Sequence, residues 1–355
     1  MGLIERLMKN STSPYTDTVA DSQLFKQKDF APTLVPAVNL ILSGSFKGGV
    51  AHGHSVFAGE SKHFKTAFLM LCIRAYFDKH PDSACIFYDT EFGAPQDYFT
   101  TFGIPLDRVV HTPIHTVEEM THDVMTQLNG LTDKDKVIII VDSFGNMASK
   151  KEIEDSLKGD DKADMTRAKK LKGLFRQVIM QLNTKRIPMI SSGHTYKTLE
   201  MYSKQILGGG TGYYYGANDI FFISRSQNKN ETTKTIEGYN FTINVDKSRF
   251  VREKSKIEIN VTFDGGIDMW SGLMDLAKES GHIVKSEEKG KINGYIRLTS
   301  DNNLYKVDEL KDSFWLTLLN DQTFVDFVEG KYKYKKGEII KDISDDDIEE
   351  ELDDV

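Results

Sequence analysis

The chain has 355 residues, 39% of them apolar and 28% charged, with a formal net charge of −8. That length supports one large core with appendages or two domains, and the balance of apolar to charged residues excludes wholesale disorder. No apolar run approaches the roughly 20 residues that cross a bilayer, and the N-terminus MGLIERLMKN lacks a secretory apolar region, so we expect a cytoplasmic protein without a membrane partner.

Charge is unevenly distributed along the chain. Residues 342–355, DISDDDIEEELDDV, hold nine acids and no base, and because those nine outweigh the formal charge of −8, the rest of the chain is close to neutral. Residues 165–186 hold seven bases and no acid. A cationic segment and an acidic tail on one chain indicate a polyanionic partner and a segment that competes with it; a merely solvating tail is the alternative.

In chain order, a short amphipathic stretch and a Ser/Thr-rich connector come first, and from about residue 34 β-type runs alternate with helical runs. The predicted strands are Ser55–Ala58, Ala84–Asp89, Val137–Asp142, Pro188–Ser192, Asp219–Ser224, Phe241–Asp246 and Lys256–Phe263. Helix-length segments separate the first four, which indicates crossover connections and a mostly parallel, twisted α/β sheet with flanking helices. The last two strands indicate an antiparallel edge hairpin. A helix at Leu273–Glu279 and the helical spacing in FWLTLLNDQTFVDFV predict a small C-terminal α+β unit.

The segment GESKHFKT follows the first predicted strand and precedes a strong helical run. In a phosphate-binding loop, G-x-x-x-x-G-K-[ST], backbone N–H groups cradle phosphates, the lysine meets the outer oxygens and the hydroxyl holds Mg²⁺. Its candidate members are Gly59, Glu60, Ser61, Lys62, His63, Phe64, Lys65 and Thr66. Phe64 replaces the second glycine and loses its conformational freedom. An ordinary glycine turn before a helix with a surface lysine is the alternative.

Carboxylates end the next two predicted strands. Asp142 closes KVIIIVD, where a carboxylate orients Mg²⁺ and its waters, unless it only caps a following helix. Asp89 and Glu91 end ACIFYDTE, where a carboxylate beside a phosphate loop can orient or deprotonate the water that attacks the γ-phosphate. Together with the loop, these residues predict a P-loop nucleotide site.

These motifs resemble a known family when read with VDSFGNMASKKEIED, DMTRAKKLKGLFR, ISSGHTYKTLEMYSKQILGGGTGYYYGAND and FDGGIDMWSGLMDLA. Over roughly residues 1–280, their order and spacing resemble the RecA-type strand-exchange recombinases, most closely the bacteriophage UvsX recombinases. The resemblance implies a RecA-like P-loop core and a DNA-dependent ATPase that uses ATP and Mg²⁺. Phage recombinases of this type also carry a bulky residue at the Phe64 position.

Carried over residue by residue, the resemblance assigns Lys65 and Thr66 to phosphate and Mg²⁺, Asp142 to support of the metal, and Glu91 to the catalytic base. Tyr98 matches the aromatic that stacks on adenine; a core aromatic is the alternative.

Further site residues follow from the same resemblance. His194 matches the polar residue that senses the γ-phosphate, and Gly193 departs from the Asn common beside it. Lys247 and Arg249 match bases that reach the γ-phosphate of the neighbouring subunit.

Two segments match the DNA-binding loops of the family. The second loop, from Thr195 to Gly212, mixes apolar side chains, cations and glycines, which suits a loop that orders on a single strand; a plain surface loop is the alternative. Its candidate contacts are Tyr196, Lys197, Leu199, Met201, Tyr202, Lys204, Gly208, Gly209 and Gly210. The first loop, at about 155–164, leads into the basic segment, whose candidates are Arg167, Lys169 and Lys170. A solvated face is the alternative for that segment.

The resemblance also implies partners and a role. The partners are single-stranded DNA, homologous duplex DNA, further copies of the chain in a helical filament, a single-strand-binding protein and a recombination mediator. Phe25 and a strand near Leu34 would dock on the adjoining copy. The implied units are a polymerisation arm (1–30), an ATPase and DNA-binding core (31–272), a small C-terminal domain (273–341) and the acidic tail (342–355).

The implied function is homologous pairing and strand exchange in recombination, repair and recombination-dependent replication, in the cytoplasm of a bacterial host. Two alternatives stay open. One is a hexameric, helicase-like motor of the same superfamily, and the other is an ATP-gated protein scaffold that does not bind DNA.

Overall fold

The computed structural model describes residues 2–22, 24, 29–159, 166–197, 205–230, 233–286, 295–300 and 302–334. Several predicted features lie outside the described residues: the acidic tail, Phe25, Leu199, Met201, Tyr202, Lys204 and residues 160–164 of the first DNA loop.

The helices are α1 (Leu3–Asn10), α2 (Pro36–Ser43), α3 (Lys65–Lys79), α4 (Gln96–Thr101), α5 (Val117–Gly130), α6 (Lys150–Lys158), α7 (Thr166–Thr184), α8 (Thr211–Gly216), α9 (Leu273–Glu279), α10 (Asp312–Asn320) and α11 (Gln322–Tyr332). The strands are β1 (Gly53–Ala58), β2 (Ala84–Asp89), β3 (Val109–Pro113), β4 (Val137–Asp142), β5 (Pro188–Gly193), β6 (Thr195–Lys197), β7 (Gln205–Leu207), β8 (Asp219–Lys229), β9 (Ile236–Lys247), β10 (Lys256–Thr262), β11 (Gly266–Ile267), β12 (Ile283–Lys285), β13 (Tyr295–Leu298) and β14 (Leu304–Lys306).

A nine-stranded sheet organises the molecule, in the order β11-β10-β9-β8-β1-β5-β4-β2-β3. From β8 to β3 all neighbouring strands are parallel, whereas β9 and β10 form an antiparallel hairpin at one edge and β11 extends it. The central strands are fully buried, which is why they read as continuous apolar runs in the sequence. The prediction of an α/β fold with a mostly parallel sheet and an edge hairpin is confirmed.

Two apolar clusters cover the two faces of this sheet. Along β4, Ile138 and Ile140 belong to the cluster that contains α2 and α3, while Ile139 and Val141 belong to the one that contains α5 and α7. Successive side chains of a strand point to opposite faces, so each central strand contributes to both clusters. Such a core fixes the carboxyl ends of the parallel strands at one edge of the sheet.

Several elements differ from the sequence prediction. No strand forms near Leu34 in the described residues, where Ala31 makes a single bridge to Val50. The chain then enters α2 with Pro36 at the first helical position, where the N–H that proline lacks would have no partner within the helix. The edge strand β3 was not predicted, because three of its five residues are exposed and its sequence, VVHTP, has no extended apolar run.

The predicted DNA loops are also more regular than expected. The ends of the second loop pair as the antiparallel ribbon β6-β7, and α8 begins at Thr211. Helix α6 runs to Lys158 through the start of the predicted first loop, because Ser149 and Glu152 form a capping box at its N-terminus and Gly159 ends it in the left-handed conformation.

The C-terminal unit consists of α9, a three-stranded sheet (β12-β13-β14), α10 and α11. It packs on the core: Phe324 stacks on Phe46 with ring centroids 5.8 Å apart, and the hydroxyl of Tyr332 donates to the carbonyl of Lys256 at 3.0 Å. The predicted helical stretch is two helices, since Asp321 accepts hydrogen bonds from the first turn of α11 and so begins a new helix.

Helix α1 exposes its apolar side chains Leu3, Ile4 and Leu7. None of the described helices combines the length and the apolar character required to cross a membrane.

Candidate functional site

The loop between β1 and α3 carries the predicted phosphate-binding residues. The N–H of Gly59 donates to the carbonyl of Gly193 at 3.0 Å, which ties the loop to the end of β5. Lys62 and Phe64 have φ values of 63° and 61°, so the chain turns through the left-handed region twice before α3 begins at Lys65. No side chain caps this helix at Phe64. Its first N–H groups are therefore suited to an anion.

Lys65 lies inside this loop. Its Nζ donates to the carbonyls of Gly59 and Glu60 at 3.2 and 2.9 Å, and the residue is only 8% exposed. Burial lowers the pKa of Lys65, while the charges of Glu91 and Asp142 oppose that shift. The carbonyls hold the ammonium group within the loop, where phosphate oxygens can replace them as partners.

Thr66 and Asp142 form a hydrogen-bonded pair below the loop. The hydroxyl of Thr66 donates to Oδ2 of Asp142 at 2.7 Å, and the hydroxyl of Ser192 donates to Oδ1. Burial raises the pKa of Asp142, and the hydrogen bonds from Ser192 and Thr66 counteract it. A hydroxyl and a carboxylate are oxygen ligands of the kind that Mg²⁺ prefers, so these residues fit the ion that the resemblance implies.

Glu91 is held by two side chains from neighbouring strand ends. The hydroxyl of Ser143 donates to Oε1 of Glu91 at 2.6 Å, and Nε2 of His194 lies 3.0 Å from the same oxygen. The hydrogen bond from His194 lowers the pKa of Glu91, that from Ser143 adds to the effect, and burial opposes both. Glu91 is therefore an ionised carboxylate with a fixed orientation.

Asp89, the other predicted strand-end acid, has a different place. Its Oδ1 accepts from the N–H groups of Glu91 and Phe92 at 3.0 and 2.8 Å, and Nε2 of His111 lies 3.1 Å from Oδ2. These contacts fix the turn that carries Glu91. Asp89 thus positions the candidate base and does not face the cleft itself.

A cleft of about 420 Å³ brings most of the predicted residues together. Its predicted lining residues are Ser61, Lys62, His63, Phe64, Lys65, Thr66, Glu91, Tyr98 and His194. Tyr98 lies partly buried beside Phe102, and burial raises its pKa to about 12. Gly59, Glu60 and Asp142 do not line the cleft but contact residues that do.

The opposite wall of the cleft was missed by the sequence analysis. It comes from β8 and from the edge hairpin with the residue that follows it, through Arg225, Tyr239, Phe241, Val261 and Phe263. The guanidinium of Arg225 lies over the ring of Tyr239 at 4.6 Å and donates to the carbonyl of Lys62 at 3.2 Å. The alternation of aromatic residues along β9 was the available signal, but only the pairing of β8 with β9 shows which side of the sheet they face.

Phe64 fits the loop by joining this wall. Its ring stacks on Phe241, with centroids 4.8 Å apart and an interplanar angle of 14°, and meets Phe68 edge-on at 6.0 Å. A non-glycine residue at this positive φ costs about 1 to 2 kcal/mol, which the ring packing offsets.

The same geometry predicts an unusual order of stability for two variants of Phe64. Phe64→Ala loses the ring contacts and keeps the strained φ, whereas Phe64→Gly loses the contacts and relieves the strain. We expect both to unfold more easily than the wild type, with the glycine variant more stable than the alanine variant by about 1 kcal/mol. Urea unfolding followed by circular dichroism measures this difference. A more stable alanine variant would contradict the strained conformation.

Replacing His194 by alanine should raise the pKa of Glu91, because the hydrogen bond from His194 is the main cause of its depression. The folded pKa of Glu91 lies below its unfolded value, so the stability it contributes is present above the unfolded pKa and is lost as pH falls through the folded pKa. The variant is therefore less stable than the wild type at neutral pH, and this difference in the free energy of unfolding disappears as the pH falls below the folded pKa of Glu91. Carboxyl ¹³C titration by NMR, with Glu91→Gln as the assignment control, measures the shift; an unchanged pKa refutes it.

The candidate DNA-binding residues of the basic helix α7 have different surroundings. The guanidinium of Arg167 donates to the carbonyls of Met147, Phe144 and Gly145, at 2.6, 3.1 and 2.5 Å. Its side chain is thus engaged with the loop after β4. Lys169 and Lys170 are exposed, and Nζ of Lys170 lies 3.5 Å from Oε1 of Glu118.

The glycines of the second predicted DNA loop precede α8, which packs directly on α7. A Cβ at Gly212 would lie 2.6 Å from Cβ of Lys172, and one at Gly216 would lie 2.9 Å from Cβ of Phe175. Only glycines permit this approach, so the two predicted DNA-binding segments share one interface. Gly208, Gly209 and Gly210 lie at the loop end of α8, and Tyr196 on β6 covers Gly208. Lys197 lies in β6, within the described backbone.

Lys247 and Arg249 do not line the cleft of their own chain. Nζ of Lys247 donates to the carbonyls of Tyr214, Tyr215 and Ala217, at 3.0, 3.3 and 2.7 Å, at the C-terminal end of α8. Burial lowers the pKa of Lys247, and the charge of Arg249 adds to that shift. Arg249 is exposed.

No family model matches the sequence. Over 342 aligned residues, the chain is 41% identical to a protein of Enterobacteria phage T4 named "Recombination and repair protein". The alignment covers 93% of this chain and 86% of the T4 protein. Because this similarity extends over nearly the whole of both chains, the chain belongs to the family of the phage T4 recombination and repair protein.

Proposed function

We propose that the chain is an ATP-dependent DNA recombinase with a RecA-like P-loop core, of the UvsX type. It would form helical filaments on single-stranded DNA and catalyse homologous pairing and strand exchange. The observation that carries the proposal is the joined set at one edge of the parallel sheet: Lys65 in its loop, the Thr66–Asp142 pair, and Glu91 held by His194.

Each member of this set has a role that its contacts support. The loop and Lys65 would hold the phosphates of ATP, and the aromatic wall with Tyr98 would accept the base. Thr66 and Asp142 would hold Mg²⁺, which neutralises charge on the phosphates when bound. Glu91, ionised and oriented, would orient the attacking water and take its proton. His194 would exchange its contact with Glu91 for one with the γ-phosphate.

Filament formation is supported by surfaces outside the cleft. Among the described residues β3 pairs only with β2, so one edge of it is open to another strand. A groove of about 340 Å³ beside this edge is lined by residues such as Phe99, Leu106 and Val109. The exposed apolar side chains of α1 supply a surface of the same character. An arm that docks on the next copy would propagate without closing, and Lys247 and Arg249 of a neighbouring copy would then reach the γ-phosphate.

A role in recombination and repair is further supported by the name of the phage T4 relative. Contact with single-stranded DNA is supported by the exposed Lys169 and Lys170 on α7 and by the glycines before α8. Homologous duplex DNA, a single-strand-binding protein and a recombination mediator would be the further partners.

The test is ATP turnover with and without single-stranded DNA, combined with electron microscopy of the same mixtures. We expect DNA to stimulate hydrolysis and ATP to produce helical filaments. Closed hexamers that unwind a forked duplex would instead support a helicase-like motor. If the rate of ATP turnover did not change with DNA and no filaments formed, the proposal would be refuted and a scaffold would be supported.

A further inference from the structure

A chain of buried hydrogen bonds links β1, β5 and α8 beneath the candidate site. Nε2 of His54 lies 2.8 Å from Oγ of Ser191, and that oxygen lies 2.9 Å from the hydroxyl of Tyr213. The hydroxyl of Tyr213 donates to the carbonyl of Ser192 at 3.2 Å. All four residues are at most 1% exposed. Nothing in the roles assigned above to ATP or DNA contact uses these groups.

The direction of this chain follows from the imidazole of His54. Burial lowers the pKa of His54 to about 3, so the ring is neutral and carries one N–H. Among the described residues Nδ1 has no hydrogen-bond partner. An unpaired N–H costs more than an unpaired lone pair, so the hydrogen belongs on Nε2. His54 therefore donates to Ser191, Ser191 donates to Tyr213, and Tyr213 donates to the carbonyl of Ser192.

One end of the chain reaches the predicted metal ligands. The residue that accepts from Tyr213 through its carbonyl, Ser192, donates through its side chain to Asp142, which also accepts from Thr66. A displacement of Ser192 therefore changes two hydrogen bonds at once, the one that it accepts from Tyr213 and the one that it donates to Asp142. The next residue, Gly193, binds the first N–H of the phosphate loop through its carbonyl.

Tyr213, within the chain, contacts the glycines of the second predicted DNA loop. A Cβ at Gly209 would lie 3.0 Å from Cδ1 of Tyr213, and a Cβ at Gly193 would lie 3.2 Å from the hydroxyl. Gly209 and Gly210 have φ values of 99° and 85° and lead directly into α8. The ring of Tyr213 is thus held between the loop backbone and the end of β5, so a shift of either one changes its contacts with this ring.

The hydroxyl group of Tyr213 is not needed for the packing of its ring. The ring of Tyr213 stacks on Phe175, with centroids 5.2 Å apart, and lies beside His54 at 5.7 Å. A phenylalanine would keep these ring contacts and lose only the hydrogen bonds. Each hydroxyl in such a buried chain depends on its neighbours for its partners, so the arrangement is sensitive to the positions of the segments that it joins.

We infer that Tyr213 is a positioning residue that couples the Asp142–Thr66 pair to the Gly208–Gly210 segment, so that nucleotide in the cleft sets the affinity for single-stranded DNA. This inference rests on the proposed function. Coupling of this kind is reciprocal and is measured as a ratio of affinities, which a residue that only stabilises the fold does not change.

The test measures the affinity of the full-length protein for a fluorescein-labelled oligothymidine, with and without a non-hydrolysable ATP analogue and Mg²⁺. The ratio of the two Kd values is the coupling factor. In Tyr213→Phe we expect this factor to fall about tenfold, with the Kd in the absence of nucleotide changed by less than about twofold. Tyr88→Phe is the matched control, since it removes another buried hydroxyl, bonded to Asp123 at 2.6 Å, and should keep the wild-type factor.

The outcomes separate the inference from the proposal beneath it. A wild-type protein whose DNA affinity ignores nucleotide overturns both. A coupled wild type with an equally coupled Tyr213→Phe overturns the inference alone, as does a variant whose two Kd values change by the same factor. If thermal denaturation shows that Tyr213→Phe does not fold, Ser191→Ala, which interrupts the same chain, decides the question by the same ratio.

Discussion

Lys65→Ala should lower the rate of ATP hydrolysis by about 10³-fold. The lysine is buried in its loop, its ammonium is held by the carbonyls of Gly59 and Glu60, and its low exposure strengthens its interaction with phosphate charge. Alanine removes that charge and leaves both carbonyls without this donor. Steady-state release of phosphate measures the rate.

A matched control for this variant lies on the same helix. Lys79 ends α3, outside the cleft, where its Nζ contacts Asp29 and the carbonyl of Phe30. Lys79→Ala should keep wild-type turnover. If Lys65→Ala hydrolysed ATP at close to the wild-type rate, the loop would not be the phosphate site.

Glu91→Gln should leave ATP bound and uncleaved, with kcat lower by about 10²- to 10⁴-fold and a Kd for ATP close to that of the wild type. The amide has the shape of the carboxylate and keeps an oxygen that can accept from Ser143, so the site retains its geometry. It cannot take a proton from water. Single-turnover cleavage and equilibrium binding of a fluorescent ATP analogue measure the two quantities separately.

The control for this second variant is Glu309→Gln, which removes an exposed carboxylate of the C-terminal unit and should change neither quantity. Rapid single turnover by Glu91→Gln would remove Glu91 from the role of base. Loss of ATP binding in the same variant would instead make it a binding residue.

The sequence predicted the parts of the fold that local patterns encode. Strand β4 matched the prediction at both ends, because a continuous apolar run is bounded by charged residues. Helix α9 also matched at both ends, because its apolar residues recur at helical spacing. The segment predicted as a phosphate loop lies between a strand and a helix, as its place in the sequence predicted. Neighbouring parallel strands then placed Glu91 and Asp142 at the same edge as the loop, as their strand-end positions predicted.

Features that depend on distant pairing were not predicted. The aromatic wall of the cleft needs the register between β8 and β9, which contains shifts near both ends of the pairing. The hydrogen-bond chain that begins at His54 needs β1 to meet β5, whose Ser191 lies 137 residues further along the sequence. For Arg167, however, a signal was present: it stands four residues before the buried Leu171, on the apolar side of α7, which explains why its guanidinium contacts backbone carbonyls instead of facing outward with Lys169.

The glycine contacts of Gly212 and Gly216 join α7 and α8 into one body, and this affects how mutational data on either helix must be analysed. A substitution that tilts one helix also displaces the other, so the energetic effects of changes on the two will not be additive. If a lysine replacement on α7 lowers the affinity for single-stranded DNA, the loss includes the effect of any displacement of the loop glycines. Thermodynamic double-mutant cycles, in which each change is measured with and without the other, separate the two contributions.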